Sequence, residues 1–205
     1  VQIRELSVPG AFVATPTQFS DDRGAFWEWY RFDELAEVIG HPLDMRQANA
    51  SVSRRGAVRG IHFAELPPSQ AKYVTVTQGA VIDYVVDTRV GSPTFGQWDS
   101  VVLDTIDRRS LYISEGLGHA FVALTNEATV VYMVSATFAP GREHGITPFD
   151  EQVGLKMPFG RDELVVSSKD AEAPTLAEAA SRGILPTWAE AANFTSSLDT
   201  QWSAR

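Results

Sequence analysis

Between Ala11 and Ser168 the chain breaks into short runs rich in Val, Ile, Thr, Phe, Tyr and Trp, with turn signals every 8–12 residues or so. The clearest are "AKYVTVTQGAVIDYVVDTRVGSP" (71–93), "FGQWDSVVLD" (95–104), "RSLYISEG" (109–116), "HAFVALTNEATVVYMVSATF" (119–138) and "DELVVSS" (162–168). Residues of these types suit a pleated surface, and punctuation this frequent leaves no room for long helices, so the expected fold is all-β. Over 80–87 the polar and apolar residues alternate imperfectly, which fits strands in a two-sheet sandwich or barrel better than strands with one wet face. Gly79, Gly91 and Gly96 punctuate the runs and "SPTFG" reads as a corner, pointing to a jelly roll or related barrel.

Helical signals lie at the edges. "RFDELAEVIG" (31–40) offers Asp33 as an N-cap and Gly40 as a stop. "APTLAEAASRGILP" (173–186) has Pro174 near a helix start, Gly183 near its end and Pro186 beyond, and "TWAEAANFTSSL" (187–198) reads as another short helix or a tail. No repeat or low-complexity linker appears in the 205 residues. The expectation is one domain over 1–205, with a core at 11–170 and a helical tail at 173–205.

A net charge of -9 argues against a nucleic-acid or anionic-membrane partner, since both need a basic field. A phosphorylated ligand would require a few Arg and Lys residues gathered in one pocket. The absence of cysteine removes disulfides, thiolate catalysis and cysteine-ligated metals. No apolar run approaches a membrane span, and "VQIRELSVPGAF" lacks the form of a secretion signal, so the expected location is cytoplasmic.

Of the four histidines, none makes an H-x-H or H-E-x-x-H pair, so a metal-dependent barrel enzyme is poorly supported. His41, beside Pro42, reads as a solvated loop residue, and His144 in "GREHG" as a loop residue. His62 in "RGIHF" and His119 in "GLGHAF" sit in strand-like contexts beside glycine, and taken singly each is more often a satisfied core histidine. Arg59, Lys72, Tyr132 and Asp170 lie on or beside the same class of segments, and several polar groups in apolar strands make a site hypothesis. The types present suit proton transfer: a histidine base oriented by a carboxylate, a tyrosine acid, and a lysine or second histidine to stabilise an enolate oxygen. Arg59 and His62, three positions apart, have opposite parity on an ideal strand. A bulge or twist at Gly60 would bring both toward one ligand.

"FSDDRGAFWEWY" (19–30), "QANASVSRRGAVRGIHF" (47–63), "QAKYVTVTQGAVIDYVVDTRVGSPTFGQW" (70–98), "SEGLGHAFVAL" (114–124), "VVYMVSATFAP" (130–140) and "SSKD" (167–170) resemble, in order, the dTDP-4-dehydrorhamnose 3,5-epimerase family. The resemblance implies a cupin-like jelly-roll barrel with short peripheral helices, a homodimer, no metal, no cofactor, and a dTDP-linked 4-keto-6-deoxyhexose as substrate. It implies His62 as general base, Asp170 as its orienting carboxylate, Tyr132 as general acid, Lys72 near the keto oxygen, and His119 as a further sugar contact. Arg23, Glu28, Gln47, Asn49, Arg59, Glu143 and Lys169 match substrate-contacting positions, with Arg23 and Arg59 suited to the diphosphate. Phe138 matches a position that stacks on thymine, and Arg23, Phe26 and Glu28 are expected to reach the neighbouring subunit's site.

Two stretches, 58–74 with its Pro-Pro pair and 173–188, resemble antibiotic deoxysugar epimerases, some of which invert carbon 3 alone or mainly. After Tyr132 the sequence also departs from the common family pattern. The expected activity is therefore 3-epimerisation of dTDP-4-keto-6-deoxyglucose. A 3,5-epimerase is the near alternative, and a catalytically silent sugar-nucleotide binder the alternative from another class.

Overall fold

The computed structural model describes residues 1–204. Its strands are β1 (Gln2–Glu5), β2 (Ala11–Thr15), β3 (Gln18–Asp21), β4 (Gly24–Trp27), β5 (Gln47–Ser53), β6 (Ala57–Ala64) and β7 (Lys72–Gln78). There follow β8 (Ala80–Asp87), β9 (Trp98–Asp104), β10 (Ser110–Ile113), β11 (Leu117–Ala123), β12 (Ala128–Val134), β13 (Glu143–Gly145) and β14 (Val165–Val166). The helices are α1 (Phe32–Ile39), α2 (Ser168–Ala171), α3 (Leu176–Ser181) and α4 (Trp188–Ser203).

Two largely antiparallel sheets form the body, in the orders β1-β2-β10-β7-β12-β5 and β13-β6-β11-β8-β9, while β3 and β4 make a separate ribbon. Between the sheets Val74, Val76, Val81, Val85, Leu111, Phe121 and Val130 form the central core. The outer faces are covered too. Ile61, Phe63, Tyr84 and Val122 pack with Leu176, Ala179 and Leu185 on one side, and Tyr73, Tyr112 and Met133 pack with Leu35 and Leu43 on the other. This double covering explains the weak alternation of β8, in which six of eight residues are buried.

One helix end differs from expectation. Arg31, not Asp33, is the N-cap of α1, and it makes no side-chain cap. Asp33 lies inside the first turn and binds the Arg31 guanidinium instead. Residues 173–204 carry α3 and α4 packed on the body: Leu176, Ala179, Leu185 and Ala191 are buried, and Thr175 and Thr187 close capping boxes with Glu178 and Glu190, respectively.

Strand β6 holds the irregularity that aligns the site. Ala57 packs toward the central core, Val58 faces outward, and beyond the break Ile61 and Phe63 again face outward. Against β11 the register runs from His62↔His119 to Arg59↔Phe121, so three residues on β6 span two on its partner. The extra residue restores Arg59 and His62 to one side. Gly60 has φ +117°, and a Cβ there would stand 2.4 Å from the His119 carbonyl oxygen, so only glycine fits this approach.

The "SPTFG" corner is built around Asp87, which is fully buried. Its carboxylate accepts from the Arg89 Nε at 2.8 Å and from the Ser92 and Thr94 hydroxyls, each at 2.6 Å. Burial pushes this carboxyl up, but the hydrogen bonds from Arg89, Ser92 and Thr94 outweigh it and hold the group below the usual aspartate value.

Gly60→Ala is expected to lower unfolding stability by more than about 2 kcal/mol in urea titration, because it adds both φ strain and a backbone clash. An unchanged midpoint would contradict the tight approach. Asp87→Ala, which leaves Arg89 buried without its partner, is expected to cost about 3–5 kcal/mol. In the unmutated chain the contribution of Asp87 is complete above the ordinary aspartate pKa and is lost as pH falls through the depressed folded value, so it should be visible only as an acid-side loss of stability.

Candidate active site

The side chains that can move a proton begin with His62. Its ring is two-fifths exposed, and its Nε2 lies 2.7 Å from Asp170 Oδ1. Asp170 is held by the short helix α2, where the Ser167 cap accepts its backbone N–H at 3.1 Å, and its second carboxylate oxygen accepts the Gly60 N–H at 3.4 Å. Burial raises the Asp170 carboxyl, but the hydrogen bond and charge of His62, with the Gly60 donor, hold it below the ordinary aspartate value. An ionised Asp170 can only accept, so His62 donates through Nε2–H and keeps its lone pair on Nδ1.

A cavity of about 490 Å³ opens beside this pair, lined by Ser53, Arg54, Arg59, His62, Lys169 and Asp170 among others. The Arg59 Nε donates to Ser53 Oγ at 3.1 Å and its terminal nitrogen to the Val52 carbonyl at 3.3 Å, which fixes the guanidinium. Arg54, Arg59 and Lys169 thus place three cations around one hollow in an acidic chain. This is the local concentration an anionic ligand requires.

Toward the centre, side-chain parity with the core residues of each strand puts further polar groups inside the barrel. Lys72 shares its face with Val74 and Val76, Asp83 with Val81 and Val85, His119 with Leu117 and Phe121, and Tyr132 with Val130. His119 Nε2 meets both Asp83 oxygens, at 2.8 and 3.0 Å, and Lys72 Nζ donates to Gln70 Oε1 at 3.0 Å. The Lys72 ammonium sits 5.8 Å from the centre of the Tyr132 ring. Burial lowers the Lys72 pKa from its ordinary value, with the charges of Glu143 and Asp83 opposing. Burial raises Tyr132, Glu143 adds to the rise, and Arg59 opposes it.

On β5, Gln47, Asn49, Ser51 and Ser53 alternate with the exposed Ala48, Ala50 and Val52. Gln47 Nε2 donates to Asn49 Oδ1 at 2.7 Å, and Gln47 Oε1 accepts the Phe138 N–H at 3.0 Å. Phe138 itself is 58% exposed, so it is not a core residue. Glu143 lies on β13 opposite Ala64, and its carboxylate accepts the Ala139 N–H at 3.4 Å.

Arg23, Phe26 and Glu28 are not brought to this cavity. Arg23 and Phe26 lie on the β3–β4 ribbon, where Arg23 is exposed and bonded only to Asp21, and Phe19 and Phe26 stand exposed with ring centres 6.4 Å apart. Glu28 pairs at 3.5 Å with Arg31. The two histidines read as loop residues also differ from expectation: His41 is buried, and His144 lies on β13, stacked on Phe63 and bonded to Glu65 at 2.7 Å.

Several residues that shape the site escape a reading of the sequence. Asp83 is a lone charge in the apolar run "AVIDYVV", which is a detectable signal once the strand is known to be buried on both sides. Ser51, whose buried hydroxyl has no partner, and Ser167, which caps α2, carry no such signal. Arg54 reads as half of an ordinary surface pair with Arg55 until the cavity separates them; Arg55 turns to Glu163 at 3.0 Å.

The family model for dTDP-4-dehydrorhamnose 3,5-epimerase matches residues 5–178. A protein of that name from Mycolicibacterium smegmatis is 57% identical over 195 residues, covering 95% of this chain and 96% of the relative. A dTDP-4-dehydrorhamnose 3-epimerase from Streptomyces niveus is 50% identical over 189 residues, covering 92% and 90%. Among solved structures, the 3'-monoepimerase ChmJ from Streptomyces bikiniensis, in complex with dTDP-quinovose, superposes with a TM-score of 0.92 at 42% identity, covering 95% of this chain and 98% of ChmJ. With the two-sheet barrel and the His62–Asp170 pair beside a cationic hollow, these matches establish that the chain belongs to the dTDP-4-dehydrorhamnose 3,5-epimerase family.

Proposed function

We propose that the protein inverts carbon 3 of dTDP-4-keto-6-deoxyglucose, with His62 as the base. The observation that carries this proposal is the His62–Asp170 hydrogen bond, which leaves Nδ1 free to accept a proton next to three cations. A keto group at carbon 4 acidifies the hydrogen at carbon 3. His62 Nδ1 takes that proton, the C–H electrons move into the ring, and the charge arrives on the keto oxygen as an enolate. Lys72 stabilises that oxygen with an N–H donor, and His119, fixed by Asp83, lines the same interior. Tyr132 returns a proton from the other face, which inverts the centre.

Arg59, Arg54 and Lys169 suit the diphosphate, as forked or point donors to its oxygens. Gln47, Asn49 and Glu143 offer polar contacts to the sugar, and Phe138 offers an exposed aromatic face to the thymine. Arg23, Phe26 and Glu28 stand away from the cavity on or beside an exposed aromatic ribbon, which supports a homodimer in which the ribbon serves the neighbouring site. The 57% identity to a relative called a 3,5-epimerase favours a second reading, in which carbon 5 is inverted as well.

Turnover in deuterated water separates these readings. Label at carbon 3 alone is the expected result, and label at both carbons would favour the 3,5-epimerase. Label at carbon 5 alone, or at neither, would contradict the proposal. His62→Asn is expected to slow exchange at carbon 3 by at least about 100-fold, whereas Tyr132→Phe should impair reprotonation more than proton removal. Because Tyr132 is raised and Lys72 is lowered, the alkaline loss of activity should arise at Lys72, below the 10.5 of an ordinary lysine. Lys72→Gln should be slower and lack that limb. A limb retained in the variant would assign it to another group.

A further inference from the structure

Under helix α4 lies a second cavity, of about 370 Å³, none of whose lining residues borders the His62 hollow. Its size falls within the range of small-molecule pockets, roughly 300–1,000 Å³. Phe12, Val38 and Trp188 give it apolar walls, and His41, Tyr112 and Glu115 its polar side; the same three polar residues border an adjoining hollow of about 200 Å³. Val38 and Ala192, both exposed, stand at the mouth.

Glu115 is the unusual member, since it is 5% exposed and only half satisfied. Its Oε1 accepts the Ser135 hydroxyl at 2.9 Å, whereas its buried Oε2 has no hydrogen-bond partner among the described residues. A buried carboxylate oxygen left without a donor is costly, so something of opposite character is called for. The surrounding groups supply it only in part, through the Glu115 and Ala71 N–H groups and the charge of His41. Arg89 lines the cavity but is committed to Asp87 through Nε and a terminal nitrogen, at 2.8 and 2.9 Å, and to the Pro9 carbonyl. His41 uses Nδ1 to donate to the Pro42 carbonyl at 3.2 Å, which leaves its other nitrogen as an acceptor unless the ring is charged. Asp199 on α4, outside the lining of both hollows, has a buried carboxylate oxygen without a partner among the described residues, and its charge reaches Tyr112.

We infer that this cavity binds a small organic cation, a primary ammonium on a short apolar body, with Glu115 as its anion. The ammonium brings three donors and a positive charge to a place rich in acceptors, and the body replaces water against Phe12, Val38 and Trp188. Burial raises the Glu115 carboxyl above its ordinary value, with its own backbone N–H, the Ser135 hydrogen bond, the charge of His41 and the Ala71 N–H opposing. The cation therefore competes with a proton, and its binding tightens as pH rises through that carboxyl's titration. His41, Tyr112 and Arg89 are the other titratable groups lining the cavity with Glu115, and the charge of Asp199 reaches Tyr112. Ser135 also accepts the Ala71 N–H at 2.8 Å, one residue before Lys72, so the occupied site adjoins the start of a strand that lines the barrel interior.

The test is calorimetric and thermal titration of the full-length protein with propylammonium chloride, against potassium chloride and 1-propanol as controls. Saturable binding by propylammonium alone, strengthening from pH ~5 to pH ~8, is the expected result. Glu115→Gln keeps an acceptor for Ser135 but removes the charge, and should weaken binding by at least about tenfold. Ala192→Trp, at an exposed position, should block entry even if the first variant folds poorly. His62→Asn should bind propylammonium as the unmutated protein does. Absence of saturable binding, equal stabilisation by potassium chloride or 1-propanol, or unchanged affinity in both cavity variants would overturn the assignment.

Discussion

The break in register at Gly60 is the constraint on which the site depends, because a regular β6 would send Arg59 and His62 to opposite faces. Three residues on β6 span two on β11, and the close approach of Gly60 to the His119 carbonyl leaves no space for a side chain. The same glycine's N–H donates to Asp170, so the feature that redirects His62 also helps hold its carboxylate partner. Local irregularity and catalytic geometry are here one device, supported by the regular strands on either side.

Electrostatics follow from that placement. An overall charge of -9 would repel a nucleotide diphosphate, yet Arg54, Arg59 and Lys169 converge on the hollow beside His62. Deeper in the barrel, charges are paired or desolvated: His119 with Asp83, and Lys72 lowered by burial within reach of Glu143. Burial separates the proton-holding tendencies of Lys72 and Tyr132 in opposite directions. The proposed roles, an anion stabiliser and an acid that remains protonated, call for such divergence.

Much of this was legible in the residues. The two-sheet β architecture could be read from short apolar runs with imperfect alternation, and the bulge from the parity conflict around Gly60. The family resemblance added the assignment of His62, Asp170, Tyr132 and Lys72, whose side chains the fold places at the hollow or inside the barrel. What escaped was set by tertiary packing. His41 looks like a loop residue beside proline and is buried under α4; Asp83 looks like one of many aspartates until both faces of β8 are covered. The cap of α1 is not legible in the residues because Arg31 occupies the boundary without a capping side chain, while Asp33 finds its partner in that arginine.

The most direct measurement is a crystal structure with dTDP bound. The account predicts the diphosphate against Arg59, Arg54 and Lys169, the thymine near Phe138, and the vacant sugar position within hydrogen-bonding reach of the His62 Nδ1, with Gly60 still at positive φ. A nucleotide bound elsewhere, or a His62 ring turned away from the space next to the diphosphate, would contradict it.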